Sequence, residues 1–143
     1  MDSLGRFRTA QKQDGIYERA LAELQAGAKR SHWMWFVFPQ LAGLGHSEMS
    51  RTYAISGLEE ARAYLADPVL GARLRDCAAA LLAHDGAGAE QILGAVDALK
   101  LRSSMTLFAR ADPAEPLFGR VLVRYFGGAA DAETDALLGR GER

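Results

Sequence analysis

The chain has 143 residues, one domain's worth where domains commonly run ~100–150. Hydrophobic residues make up 49% and charged residues 24%, a globular balance that excludes a disordered chain. Lys and Arg number 17 against 18 Asp and Glu, for a formal net charge of −1, which argues against a strongly basic nucleic-acid binder. The single cysteine, Cys77, rules out an internal disulfide and points to a reducing compartment. No apolar run reaches the ~18 residues of a membrane span, and the opening MDSLGRFRTAQKQ lacks the apolar segment of a secretory signal. A cytoplasmic domain without membrane contact is expected.

Helical periodicity dominates the pattern, with no internal repeat and no linker, so residues 1–143 read as a single helical domain. Leu4, Phe7 and Gln11 make a short first helix. Tyr17, Ala20, Leu21 and Leu24 make a clearer amphipathic one, stopped by Gly27 in the left-handed conformation open to glycine. Ser31 then precedes HWMWFVF, apolar on all sides and compatible with a buried strand or a buried helix. With helical neighbours, Ser31 as N-cap and Pro39 as stop, a helix over about residues 32–38 is the reading adopted. QLAGLGHSEMS is an ordered loop, followed by a short helix at about 50–55.

Ser56 and Glu59 form a capping box ahead of Leu58, Ala61 and Leu65. Asp67-Pro68 opens the next helix, whose stripe of Leu70, Leu74, Cys77 and Leu81 ends near His84. A short helix near 88–93 precedes one capped by Asp97, with Leu101, Met105 and Phe108 on one face. Phe118, Val121, Leu122 and Tyr125 define another, stopped by Gly127-Gly128. Asp131 caps a last helix ending at Leu138, with a frayed tail from about 139. The expected fold is an all-α, compact bundle of about seven or eight short helices.

The block from Lys29 and Ser31 through His32-Trp33-Met34-Trp35-Phe36 to Phe38-Pro39-Gln40 carries a resemblance to a known family. Gly43-Leu44-Gly45, Ser47, Ser50 and Tyr53 extend it, as do Glu60-Ala61, Tyr64-Leu65 and Pro68-Val69-Leu70-Gly71. Asp97, Lys100-Leu101 and Ser103-Ser104-Met105-Thr106-Leu107-Phe108 complete it. Together these resemble the bacterial family called domain of unknown function 1810, sometimes labelled "calpastatin", from about residue 4 to residue 138. The resemblance implies a mainly helical fold and no established activity. A true calpain inhibitor is a long, polar, flexible chain, so the label finds no physical support here.

Two segments carry candidate chemistry. Around the aromatic block, Lys29, His32, Trp33, Trp35 and Gln40, with Ser47, Ser50 and Tyr53 after it, combine aromatic walls with a few polar groups, the usual form of a small-molecule site. His32 can act as acid, base or donor. The competing structural reading makes the tryptophans core and His32 a satisfied buried histidine. Further on, Lys100, Ser103 and Ser104 fall at i, i+3, i+4 on one helix face. An ammonium with two hydroxyls can hold a phosphate or carboxylate, or form a Ser–Lys nucleophile pair. Against this stands a solvated face with hydroxyls bonded back to the helix. His32, Ser103 and Lys100 are the catalytic candidates if a reaction occurs.

The loop GLGHSE satisfies neither G-x-G-x-x-G, which needs glycine where Glu48 stands, nor G-x-S-x-G, which needs it at Met49. Its His46 is a further candidate proton carrier on a loop. Histidines at 32, 46 and 84 include no i, i+4 pair, so no metal and no cofactor is expected. Cys77 on its apolar stripe reads as an inert buried thiol.

The leading expectation is a domain binding an anionic, partly aromatic small molecule such as a nucleotide derivative, with the two segments lining one site. One alternative is a hydrolase of a nucleotide or ADP-ribose-like ligand, since the layout also resembles small helical ADP-ribose-type hydrolase families. The other is a protein-interaction module, forming a homodimer or heteromeric interface without catalysis.

Overall fold

Glycine and proline set the corners of the chain, and the periodic stretches between them are helices. The computed structural model describes residues 3–84 and 86–141. Among these, the order is α1 (Gly5–Lys12), a 3-10 turn (Gln13–Gly15), α2 (Ile16–Ala26), α3 (Met34–Val37), α4 (Glu48–Thr52), α5 (Leu58–Ala66), α6 (Leu70–Leu82), α7 (Ala89–Leu93), α8 (Ala95–Ala111), α9 (Leu117–Phe126) and α10 (Ala132–Gly141). The all-α expectation holds, with no strand among the described residues. Among the described residues the helices are ten rather than seven or eight; each has a counterpart among the helical segments read from the sequence, the single turns α3, α4 and α7 included, so the difference is one of total and not of placement.

Helix α8 is the axis of the fold and packs against α5, α7, α9 and α10. The sequence gives it one apolar face, Leu101, Met105 and Phe108, and one polar face. The structure covers both, and Ser103, Ser104 and Thr106 are as buried as their apolar neighbours. Helix α10 covers part of the polar side. The Thr106 hydroxyl donates to the Arg102 carbonyl and accepts the Asp131 amide at 2.9 Å. Arg102 donates to the carbonyls of Ala129 and Ala130. Asp131 caps α10 as expected, its carboxylate accepting the Thr134 amide at 3.0 Å and the Thr134 hydroxyl. Helix α10 continues past Leu138 to Gly141, and residues 142–143 of the expected tail lie outside the described residues.

The boundary corrections have local causes. The aromatic block is helical only over Met34–Val37, because Ser31 does not cap it. The Ser31 hydroxyl donates instead to Glu23, at 2.6 Å. Helix α5 starts one residue later than its capping box predicts. Gly57 is its cap, and the Ser56 amide bonds to Glu60 at 2.9 Å, not to Glu59. Helix α8 starts at Ala95 behind Gly94, so Asp97 sits inside its first turn. Helix α4 lies at 48–52 rather than 50–55, capped by Ser47. Asp67 does cap α6, its Oδ1 accepting the amides of Val69 and Leu70, both at 2.9 Å.

Two backbone constraints position the site. Residues 40–42 meet Ile55 in an isolated parallel bridge, with the Ala42 amide on the Ile55 carbonyl and the Ile55 amide on the Gln40 carbonyl, both 2.8 Å. This pinches the intervening loop at its base and fixes Gln40. At the α5–α6 corner, Gly71 lies so close to the end of α5 that a Cβ there would stand 2.2 Å from the Leu65 carbonyl oxygen.

Gly71→Ala is therefore expected to force the corner apart and lower stability by about 2–3 kcal/mol in a urea titration. Gly119→Ala on α9 is the control. A Cβ there meets nothing within 4 Å, and removing a helical glycine is expected to raise stability by about 0.5–1 kcal/mol. Equal effects of the two would refute the close-approach explanation.

Candidate functional site

The site begins at a carboxylate on α2. Glu23 accepts the amide of Arg30 at 2.8 Å, the amide of Ser31 at 3.0 Å, the Ser31 hydroxyl at 2.6 Å and the Trp33 indole N–H at 2.8 Å. Burial alone would raise its pKa, but these hydrogen bonds, the Ser31 hydroxyl's foremost, together outweigh it and hold the carboxyl down at about 2. The Lys29 amide bonds to the Ile92 carbonyl at 2.8 Å, tying the same turn to α7.

With the turn fixed, two lysines converge on one carboxylate. Lys29 Nζ lies 3.0 Å from one Asp97 oxygen and Lys100 Nζ 3.2 Å from the other. Each ammonium also faces an indole, Lys29 at 5.1 Å from the Trp33 ring and Lys100 at 3.6 Å from the Trp35 ring. Cation–π contacts contribute ~0.5–1 kcal/mol when exposed and ~2 or more when desolvated. The lysine side chains are only 10% and 18% exposed, which favours the upper part of that range. Two positive charges against one negative leave the cluster net positive. Beside it, the Gln40 amide donates to Ser103 Oγ at 2.6 Å, while that hydroxyl donates to the Lys100 carbonyl at 3.1 Å.

Three of these groups, Gln40, Lys100 and Ser103, line a groove of about 320 Å³, and Lys29, Asp97 and the two tryptophans lie behind that lining. Gln40, Lys100 and Ser103 form one part of its lining, Leu44, Val96 and Leu99 an apolar part, and Asp131 and Glu133 an acidic part. It offers cation and amide to an anionic group, carboxylates to hydroxyl or amino donors, and aliphatic carbon to a flat body.

The sequence-selected residues divide. Lys29, Trp33, Trp35, Gln40, Lys100 and Ser103 come together as anticipated from two distant segments. Trp33 is completely buried, with Phe38 against it. Ser104 is also in the core, its Oγ buried with no hydrogen-bond partner among the described residues. Ser47 and Ser50 bond to each other at the start of α4. His32 is exposed and lines a different cleft, together with Tyr53. Lys100 reaches Asp97 rather than Ser103, so the Ser–Lys pair is not formed. The exposed His46 offers its backbone carbonyl to Arg51. Asp97 is the residue sequence reasoning misassigned, as a helix cap. Its i, i+3 spacing to Lys100 was the available signal. Glu23, Asp131 and Glu133 were not singled out for the site.

Among the described residues no group of three or more His, Cys, Asp or Glu could hold a metal, and no helix is long and apolar enough to cross a membrane. Burial, then the Asp76 charge, pushes the Cys77 thiol up to about 12, far from a reactive thiolate.

The sequence profile described as "Protein of unknown function (DUF1810)" matches residues 1–138, and the chain belongs to this family. It is similar to the crystal structure of the conserved hypothetical protein Rv1873 from Mycobacterium tuberculosis, with 51% identity, coverage of 95% of this chain and 96% of that one, and a TM-score of 0.92. No curated protein matches.

Because the folded pKa of Glu23 is depressed, its contribution to stability is present above the ordinary carboxylate value and is lost as pH falls toward about 2. Glu23→Gln is expected to lose about 2 kcal/mol at neutral pH. The stability difference between wild type and variant should shrink below ~pH 4.5. A difference that stays constant from neutrality into acid would contradict the charged clamp.

Proposed function

We propose that the protein binds a small anionic molecule in the groove between Gln40, Lys100 and Asp131, a nucleotide derivative with one phosphoryl group being the class that fits best. The observation that carries this reading is the Lys100 ammonium at the groove wall, set beside the Gln40 amide, with Lys29 sharing the Asp97 carboxylate so that Lys100 is not fully neutralised by it. Lys100 would meet the phosphoryl group as a charged donor, with the second N–H of the Gln40 amide, oriented by its bond to Ser103, adding a neutral one. Glu133 and Asp131 would accept sugar hydroxyls, and Leu44, Val96 and Leu99 would lie under a base. The acidic lining disfavours a ligand with several phosphates, since like charges repel across a short groove. A cytoplasmic setting belongs to the same proposal, resting on the single buried cysteine.

A second reading, an interaction module, draws on Val96 and Leu99. They lie i, i+3 on α8 and are 67% and 65% exposed. The aromatic block would not form that interface, since Trp33 is fully buried.

Thermal denaturation with adenosine monophosphate and with adenosine separates these readings. The monophosphate is expected to raise the melting temperature and the nucleoside to do so far less. Lys100→Met should weaken monophosphate binding about tenfold or more. Equal effects of nucleotide and nucleoside, or none from either, would reject the groove as an anion site. Concentration-dependent sedimentation abolished by Leu99→Lys would favour the interaction module.

A further inference from the structure

A second concavity, of about 280 Å³, shares no lining residue with the groove. It is built where the chain reverses between α1 and α2. Asp14 has φ 52° and ψ 28°, the one non-glycine residue with positive φ among the described residues, and Gly15 follows at φ 66°. Two successive left-handed residues turn the chain sharply, and such a conformation is rare outside glycine and often kept at functional sites. The Arg19 guanidinium donates to the Asp14 carbonyl at 3.2 Å, which holds it at the mouth of the cleft.

Three side chains with unused hydrogen-bonding capacity line this cleft. Arg19 makes that one bond, and its other N–H groups have no protein acceptor among the described residues. Neither the imidazole of His32 nor the hydroxyl of Tyr53 has a protein hydrogen-bond partner among them. The Tyr53 ring is nonetheless fixed, 5.4 Å from Phe36 and 5.9 Å from Phe7. The apolar part of the lining includes Phe36 and Met49. Met49 is 42% exposed, a flexible, polarisable side chain suited to covering a flat apolar body. Convergent polar groups around an apolar surface are the usual form of a small-ligand site.

We propose that this cleft is a second, independent binding site, for an aromatic carboxylate. The planar fork of Arg19 matches a carboxylate in two-point geometry, and His32 and Tyr53 add donors beside it. The Asp14 carboxylate in the same lining sets the charge. It offsets Arg19, so the pair carries no net charge, and a second negative charge on the ligand brings no added attraction beyond the two-point match of a carboxylate to the guanidinium. Phe36 and Met49 hold the ring.

The test uses the full chain, amide-resolved NMR and three probes with one aromatic body: 1-naphthoate, 1-naphthyl phosphate and 1-naphthalenemethanol. Naphthoate is expected to give saturable shifts confined to residues 13–19, 32 and 49–53. Arg19→Gln, a change at an exposed position, is expected to weaken it about tenfold, and Tyr53→Phe by a smaller factor. Lys100→Met should leave it unchanged, which separates this site from the groove. The proposal is overturned if no shift saturates, if the shifts map around Lys100, if the neutral alcohol binds as tightly as naphthoate, or if the phosphate binds more tightly.

Discussion

The Glu23 carboxylate organises the side of the molecule on which the groove lies. A tryptophan buried as deeply as Trp33 needs an acceptor for its indole N–H, because a buried unpaired donor costs about 1–3 kcal/mol. Glu23 supplies it and, with its remaining capacity, takes two backbone amides and a hydroxyl from the preceding turn. Anchoring Trp33 fixes the chain on both sides of it. Lys29 is thereby placed over that indole and within reach of Asp97, and Trp35 is placed under Lys100. Hydrogen bonds to a charged acceptor are roughly twice as strong as neutral ones, so one ionised group can hold a segment with so little regular structure.

The opposite wall depends on a polar seam between α8 and α10. Thr106 and Arg102 each face the segment leading into α10, the first accepting the Asp131 amide and the second donating to the carbonyls of Ala129 and Ala130. Asp131 has its own carboxylate engaged by Thr134. The acidic part of the groove is thus a consequence of how the last helix is started. Glu133 follows within the first turn of α10, where negative charge is also favoured by the helix dipole.

Much of this was legible from the sequence, and the failures have specific origins. Helices α2, α6 and α9 announced themselves by apolar stripes, and Asp67 and Asp131 by cap chemistry, because those signals are local. The meeting of the aromatic block with Lys100 and Ser103 was anticipated from residue chemistry alone. The burial of Ser104 was not. It results from α5, α7, α9 and α10 packing around the middle of α8, which no helix records in its own sequence. The division of His32 from Trp33 was also hidden. Adjacent residues at the start of a one-turn helix point in different directions, and only the Glu23 anchor decides which faces the core. Ser31 looked like a helix cap for the same reason. Its hydroxyl can serve a backbone amide or a distant carboxylate, and the local pattern is identical in both cases.

The tryptophans bear on recognition differently from what their abundance first implies. Trp33 has no face open to a ligand, and the face of Trp35 is occupied by the Lys100 ammonium at 3.6 Å. Stacking a base on Trp35 would require displacing that cation from both the indole and Asp97. Losing a partly desolvated cation–π contact costs about 1–2 kcal/mol before the ion pair is counted, comparable to the gain from one stacked base. For the ligand proposed here, the ring would therefore act only through the lysine it positions. Discrimination would then fall to the amide and carboxylate groups around Lys100, whose donor and acceptor pattern would read the ligand's polar edge rather than its aromatic face.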